Sequence, residues 1–160
     1  MKKIVVAVLS IILCTLALTA CSAPKTESTI GLPNPMQECP AEAYEDSFAA
    51  VGITGMKAPA KAQDIKYFTY SGTMVEIQFE LDGIHYDYRA AKSTEDISGV
   101  HENFEEQTET VPMKSGEATL KTAKNAGVLA NWKSGEIQYS LYGTTATADS
   151  IKAILTEIDT

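Results

Sequence analysis

The sequence predicts an α+β fold: a twisted antiparallel sheet of about six to seven strands with an N-terminal and a C-terminal helix packed on one face. Residues 74–81 alternate strictly, with Val75, Ile77, Phe79 and Leu81 set against Glu76, Gln78 and Glu80, which is the period of a half-buried strand. Asp82-Gly83 marks a tight hairpin, and beyond it Ile84, Tyr86, Tyr88 and Ala90 alternate with His85, Asp87 and Arg89. On both sides of this β-rich part the period changes to that of an amphipathic helix.

Before the fold begins, Lys2 and Lys3, an apolar run over 4–18 and the small residues before Cys21 make up the three parts of a secretory signal. The run is interrupted by Ser10, Cys14 and Thr15 and is shorter than the roughly 20 residues that span a bilayer. Leu18-Thr19-Ala20-Cys21 resembles the lipobox of bacterial lipoproteins. That resemblance implies that residues 1–20 are removed, that the Cys21 thiol carries diacylglycerol, with palmitate as the further lipid, and that Cys21 is the mature N-terminus. A second acyl chain matters, because one holds a protein only marginally at about 0.8 kcal/mol per buried CH₂. The expected location is the extracytoplasmic face of the cell membrane; the alternatives are secretion after cleavage elsewhere and an uncleaved helix.

Loss of Lys2 and Lys3 leaves 11 basic against 21 acidic residues, a formal charge of -10. That balance argues against nucleic acid and against adhesion to anionic lipid through protein charge. With Cys14 removed and Cys21 alkylated, Cys39 is the remaining thiol, so no internal disulfide is expected and packing must supply the stability. Residues 21–35 carry Pro24, Pro33, Gly31 and several Ser and Thr, the composition of a flexible tether, and residues 36–160 have the size of one domain.

Pro40 suits the first position of a helix running to Val51, with Glu42 and Glu45 near its positive end and Gly52 as its C-terminal cap. Tyr44, Phe48 and Val51 form its apolar stripe. A strand over about 65–70 leads through Ser71-Gly72-Thr73 into the hairpin described above, making a three-stranded meander. Four further strands are expected over about 105–111, 118–124, 128–132 and 137–142. Ile151, Ile154, Leu155 and Ile158 stripe a closing helix over 148–158, with Thr147 as N-cap and Asp149 in its first turn.

The run Tyr88-Arg89-Ala90-Ala91-Lys92-Ser93-Thr94-Glu95-Asp96-Ile97-Ser98-Gly99 resembles a domain-of-unknown-function family of Gram-positive bacteria. The family occurs in small lipoproteins and in the extracytoplasmic part of membrane-bound, anti-sigma-factor-like proteins. Gly31-Leu32-Pro33-Asn34-Pro35, and Asn131-Trp132 followed by Gly135 and Tyr139, extend the resemblance over roughly 31–158. Ser93 stands where the family pattern has glycine or another small residue. The resemblance implies a fold and a location, and it carries no reaction.

Among candidate sites, His85, Asp87 and Arg89 share the outer face of one strand, as a solvated row or as a binding or interaction face. Arg89 is the only arginine and is able to grip a carboxylate or phosphate in a fork. Cys39, at a predicted helix start, reads as a partly buried thiol; as a nucleophile it would need an imidazole that neither His85 nor His101 supplies at a recognisable spacing. Glu95, Asp96, Glu102, Glu105, Glu106 and Glu109 concentrate carboxylates without the spacing of a calcium loop, so a solvated edge is expected there, with Asp96, Ser98 and Gly99 setting a turn. Trp132, Tyr86, Tyr88 and Tyr139 read as core, with a small apolar pocket as the alternative.

The functional expectation is a lipid-anchored, non-enzymatic binding or interaction module with no cofactor or metal, attached through Cys21 and open to a membrane or cell-envelope protein partner. The alternatives are a small-ligand carrier between helices and sheet, and a thiol-dependent enzyme using Cys39.

Overall fold

Strict alternation produces long strands, and turn residues at positive φ reverse them. Asp82 and Gly83 adopt φ of 53° and 75°, the left-handed pair that a two-residue hairpin requires. The computed structural model describes residues 36–159 apart from 103, 105–107 and 124–126. Its strands are β1 (Met36–Cys39), β2 (Gln63–Tyr70), β3 (Met74–Leu81), β4 (Ile84–Ala91), β5 (Thr108–Met113), β6 (Gly116–Ala123), β7 (Gly127–Ser134) and β8 (Ile137–Gly143). Helix α1 (Tyr44–Val51) lies between β1 and β2, and α2 (Ala148–Ile158) follows β8.

The α+β class is as expected, and the sheet is antiparallel and open with eight strands in the order β1-β2-β3-β4-β8-β7-β6-β5. The added strand is β1. Its sequence, Met-Gln-Glu-Cys, has no alternation to mark it, and it is set by pairing on the edge of β2, with Met36 opposite Tyr70 and Cys39 opposite Tyr67. Pro40 correspondingly does not start the helix. Its carbonyl accepts from the Ala43 N–H in a turn (3.0 Å), and α1 begins at Tyr44 without a side-chain cap.

The ends of the helices follow local chemistry. Gly52 takes φ of 82° and lets the Ile53 N–H return to the Phe48 carbonyl (3.0 Å), closing α1. Thr147 and Ser150 form a reciprocal capping box, with 3.2 Å from Ser150 N–H to the Thr147 hydroxyl and 2.9 Å from Thr147 N–H to the Ser150 hydroxyl.

Both helices bury their stripes on one face of the sheet. Phe48, Ile151, Ile154 and Leu155 pack with Ile77, Phe79, Tyr86, Leu120 and Leu141 in one continuous core. Each such side chain contributes about 1.5–3 kcal/mol on burial. Among the described residues no helix is long and apolar enough to cross a membrane.

The other face is less polar than expected. Phe68, Ala91, Leu129 and Tyr142 sit on it and are buried, and so is the carboxylate of Glu76. The reason is topological. β8, not β5, pairs with β4, so the connection leaving β4 has to pass β8, β7 and β6 to reach the far edge. Its first part lies against this outer face with Ile97 and Ser98 buried.

Candidate functional site

The β3–β4 hairpin fixes which side chains meet on the outer face. Residues equidistant from Asp82-Gly83 stand opposite one another, placing Glu76 across from Arg89, Gln78 across from Asp87 and Glu80 across from His85. Glu76 is wholly buried. One of its oxygens, Oε2, accepts from Arg89 Nε at 2.6 Å and from the Tyr70 hydroxyl at 2.7 Å, while Oε1 accepts from the Gln78 amide. A buried carboxylate survives only with such a complete set of donors.

The guanidinium is equally committed. Arg89 Nη1 donates to the Ser98 carbonyl of the crossing connection. There the Asp96 carboxylate accepts from Ser98 N–H (2.9 Å), the Ser98 hydroxyl accepts from Val100 N–H (3.2 Å), and Gly99 adopts φ of 65°. The turn role expected for Asp96, Ser98 and Gly99 is therefore present. A Cβ on Gly99 would lie 2.2 Å from Arg89 Nη1, so glycine is required by contact as well as by backbone.

The row His85, Asp87 and Arg89 is thus not uniformly solvated. His85 is exposed, with Nε2 3.5 Å from Asp87 Oδ1, while the Arg89 side chain is only 19% exposed. Burial raises the pKa of Asp87 above the ordinary carboxylate value and Glu76 adds to the rise, against the opposing pull of Arg89 and His85. Burial and the bond to Glu76 push Tyr70 up, so it remains a protonated donor. With its guanidinium committed to Glu76 and Ser98, Arg89 locks the connection onto the sheet.

The opposite face opens at one end. The β7–β8 hairpin sets Trp132 across from Tyr139, and Tyr88 of β4 lies beside them. Trp132 stacks on Tyr139, with centroids 5.2 Å apart, and on Tyr88 at 5.8 Å, while Tyr88 and Tyr139 are tilted at 6.3 Å. Tyr86 does not join them and stacks on Phe79 at 5.3 Å. The three rings floor a cleft of about 380 Å³. Its walls are Met56 and its neighbours after α1, Met113 to Ser115 in the β5–β6 turn, and Ile158 and Asp159 at the end of α2.

Asp159 holds the mouth in shape. Its carboxylate accepts from the Lys114 N–H, from Ser115 N–H at 3.2 Å and from the Ser115 hydroxyl at 2.9 Å. Burial by itself raises this carboxyl, and those donors outweigh it, so the net pKa is lowered. Inside, the Tyr88 and Tyr139 hydroxyls have no hydrogen-bond partner among the described residues. Tyr88 is only 5% exposed, and burial, with Tyr139 and Asp159 nearby, drives its pKa up and keeps it a donor. An open cleft with two phenol hydroxyls on an aromatic lining has the arrangement of a ligand pocket.

Cys39 is buried on the helix-bearing side of β1, its Sγ 3.9 Å from the Gln37 carbonyl, while His85 projects from the other side of the sheet. His101 is exposed in the crossing connection. Glu109 pairs with Lys152 of α2 at 2.6 Å, Glu95, Asp96 and Glu102 are exposed, and Glu105 and Glu106 lie outside the described residues, as does Cys21. The chain matches no protein-family model, no curated protein and no solved structure, so its site has to be read from its own chemistry.

Sequence reading assigned Glu76 to a solvent face, although counting outward from Asp82-Gly83 pairs it with the only arginine. Met56, Met113, Lys114, Ser115 and Asp159 carry no local signal, because three separate segments bring them to one mouth.

Proposed function

We propose that this chain is a lipid-anchored extracytoplasmic binding module, non-enzymatic, which holds a small ligand between its helices and sheet. The observation that carries the reading is the open cleft of about 380 Å³ lined by Tyr88, Trp132 and Tyr139, which places two phenol hydroxyls beside apolar surface. Anchoring through Cys21 is supported by the lipobox resemblance of Leu18-Thr19-Ala20-Cys21. A non-enzymatic role is supported by Cys39, whose sulfur neighbours a backbone carbonyl and which is separated from His85 by the sheet.

Native mass spectrometry of the lipoprotein purified from its own membrane tests this. The expected result is a retained small molecule in the wild type that Tyr139→Ala loses while the fold persists. An empty wild-type protein, together with a defined membrane protein recovered by crosslinking at the outer face around Arg89, would replace the carrier reading with a regulatory one.

A further inference from the structure

We propose that the last turn of α2 is a gate on the cleft, held shut by Glu157 and Asp159; this deepens the small-ligand reading above by naming how that cleft opens. Glu157 reaches one wall. Its Oε1 accepts from the Ala60 N–H, on the loop that also carries Thr54, Gly55 and Met56 of the lining. Asp159 reaches the other wall, taking the Lys114 and Ser115 N–H groups and the Ser115 hydroxyl of the β5–β6 turn. Between the two carboxylates, Ile158 lines the cleft itself. One helical turn therefore ties both walls together.

Asp159 is also a partition. A second hollow of about 390 Å³ lies beside the cleft, lined by Val111, Pro112, Leu155 and Thr156, and the two share Met113, Lys114 and Asp159. Withdrawal of Asp159 joins them into one elongated groove.

Local forces favour release. The last turn of α2 holds no basic residue, and Glu157 and Asp159 set two negative charges at the negative end of the helix dipole. Ala60, Lys114, Ser115 and Glu157 are exposed, so water replaces each hydrogen bond that opens. One step earlier Ile154 and Leu155 are each 1% exposed, which keeps the body of the helix on the sheet. The hinge falls between Leu155 and Glu157.

The dipole and the gate predict opposite signs for one experiment. As ordinary surface charges, these carboxylates would leave the last turn firmer when neutralised by Asp159→Asn and Glu157→Gln; as gate contacts, their neutralisation loosens it. Trp132 is the only tryptophan, lines the cleft and is 7% exposed, so quenching of its emission by acrylamide reads access without any ligand. The lipoprotein purified from its own membrane is used. The expected quenching constant is about threefold higher in Asp159→Asn, less raised in Glu157→Gln and highest in the double variant, with circular dichroism and the thermal midpoint retained. In the wild type, the Ala60, Lys114 and Ser115 amides should exchange hydrogen together with the last turn of α2 and well before Ile154. That wild-type pattern decides the matter should a variant fold poorly.

Quenching unchanged or lowered in all three variants, or exchange of those amides only together with the buried strands, would overturn the gate; a small molecule still retained in native mass spectrometry would then leave the small-ligand reading standing. Raised quenching in a protein that carries no small molecule would keep the gate and remove the ligand.

Discussion

The two faces of the sheet bury side chains by opposite means. On the helix-bearing face, Phe48, Ile151, Ile154 and Leu155 lie on Ile77, Phe79 and Leu141, and the stabilisation is spread over many interchangeable apolar contacts. On the outer face a single buried carboxylate, Glu76, is held by Arg89, Tyr70 and Gln78, and the same arginine pins the crossing connection through the Ser98 carbonyl. The difference is one of failure mode. An apolar core loses stability in proportion to what is removed, whereas a buried charge network is neutral when complete and costly when one member is missing.

Removing one member of the network should have the largest effect. Arg89→Met leaves Glu76 buried without its cation and is expected to cost about 3–5 kcal/mol in urea denaturation. Adding Glu76→Leu to that variant should recover most of the loss, which no pair of core truncations would do; failure of the second change to help would mean that both faces behave alike. Ile154→Ala in the helix-bearing face is expected to cost about 2–4 kcal/mol, while Ile154→Val costs about 0.5–1.5 kcal/mol, the graded response of a packed core.

Gly99→Ala sharpens the contrast further. Its left-handed backbone alone costs a side chain about 1–2 kcal/mol, and the new Cβ pushes on Arg89 Nη1, so amide exchange should accelerate in the connection around Ser98 before it does so in α2.

The smallest effect is electrostatic. The folded-state pKa of Asp87 is raised, foremost by burial, so its charged form is disfavoured at neutral pH and stability is gained as pH falls through the raised value. Asp87→Asn should therefore be more stable than the wild type near pH 7, the difference closing below the ordinary Asp range. A difference that widened toward acid would mean that Arg89 and His85 outweigh burial at Asp87.

Much of this fold is readable residue by residue. The alternation over 74–81, the Asp82-Gly83 turn, the Gly52 cap and the Thr147 N-cap each depend on neighbours in sequence, and each is found where local chemistry puts it. β1 escaped because an edge strand of four residues has its partner, not its own pattern, to define it. Glu76 escaped because alternation reports which face a residue takes, and burial of that face was decided by a connection passing over it. Trp132, Tyr88 and Tyr139 were legible as an aromatic group, but Tyr86 follows the same alternation and belongs to a different stack.

By itself the sequence determined the α+β class, the strands other than β1, both helices apart from the start of α1, the Gly52 and Thr147 caps, and the pairing across the β3–β4 hairpin, because all of these follow from side-chain period and turn geometry over a few residues. Tertiary structure alone decided that β8 would lie against β4, that the connection leaving β4 would cover the outer face and bury the Glu76 carboxylate, and that the end of α2, the β5–β6 turn and the loop after α1 would frame an open cleft. The physical reason is that these features depend on which distant segments share a surface, a choice made by the summed burial of the whole chain and written in no single stretch of it.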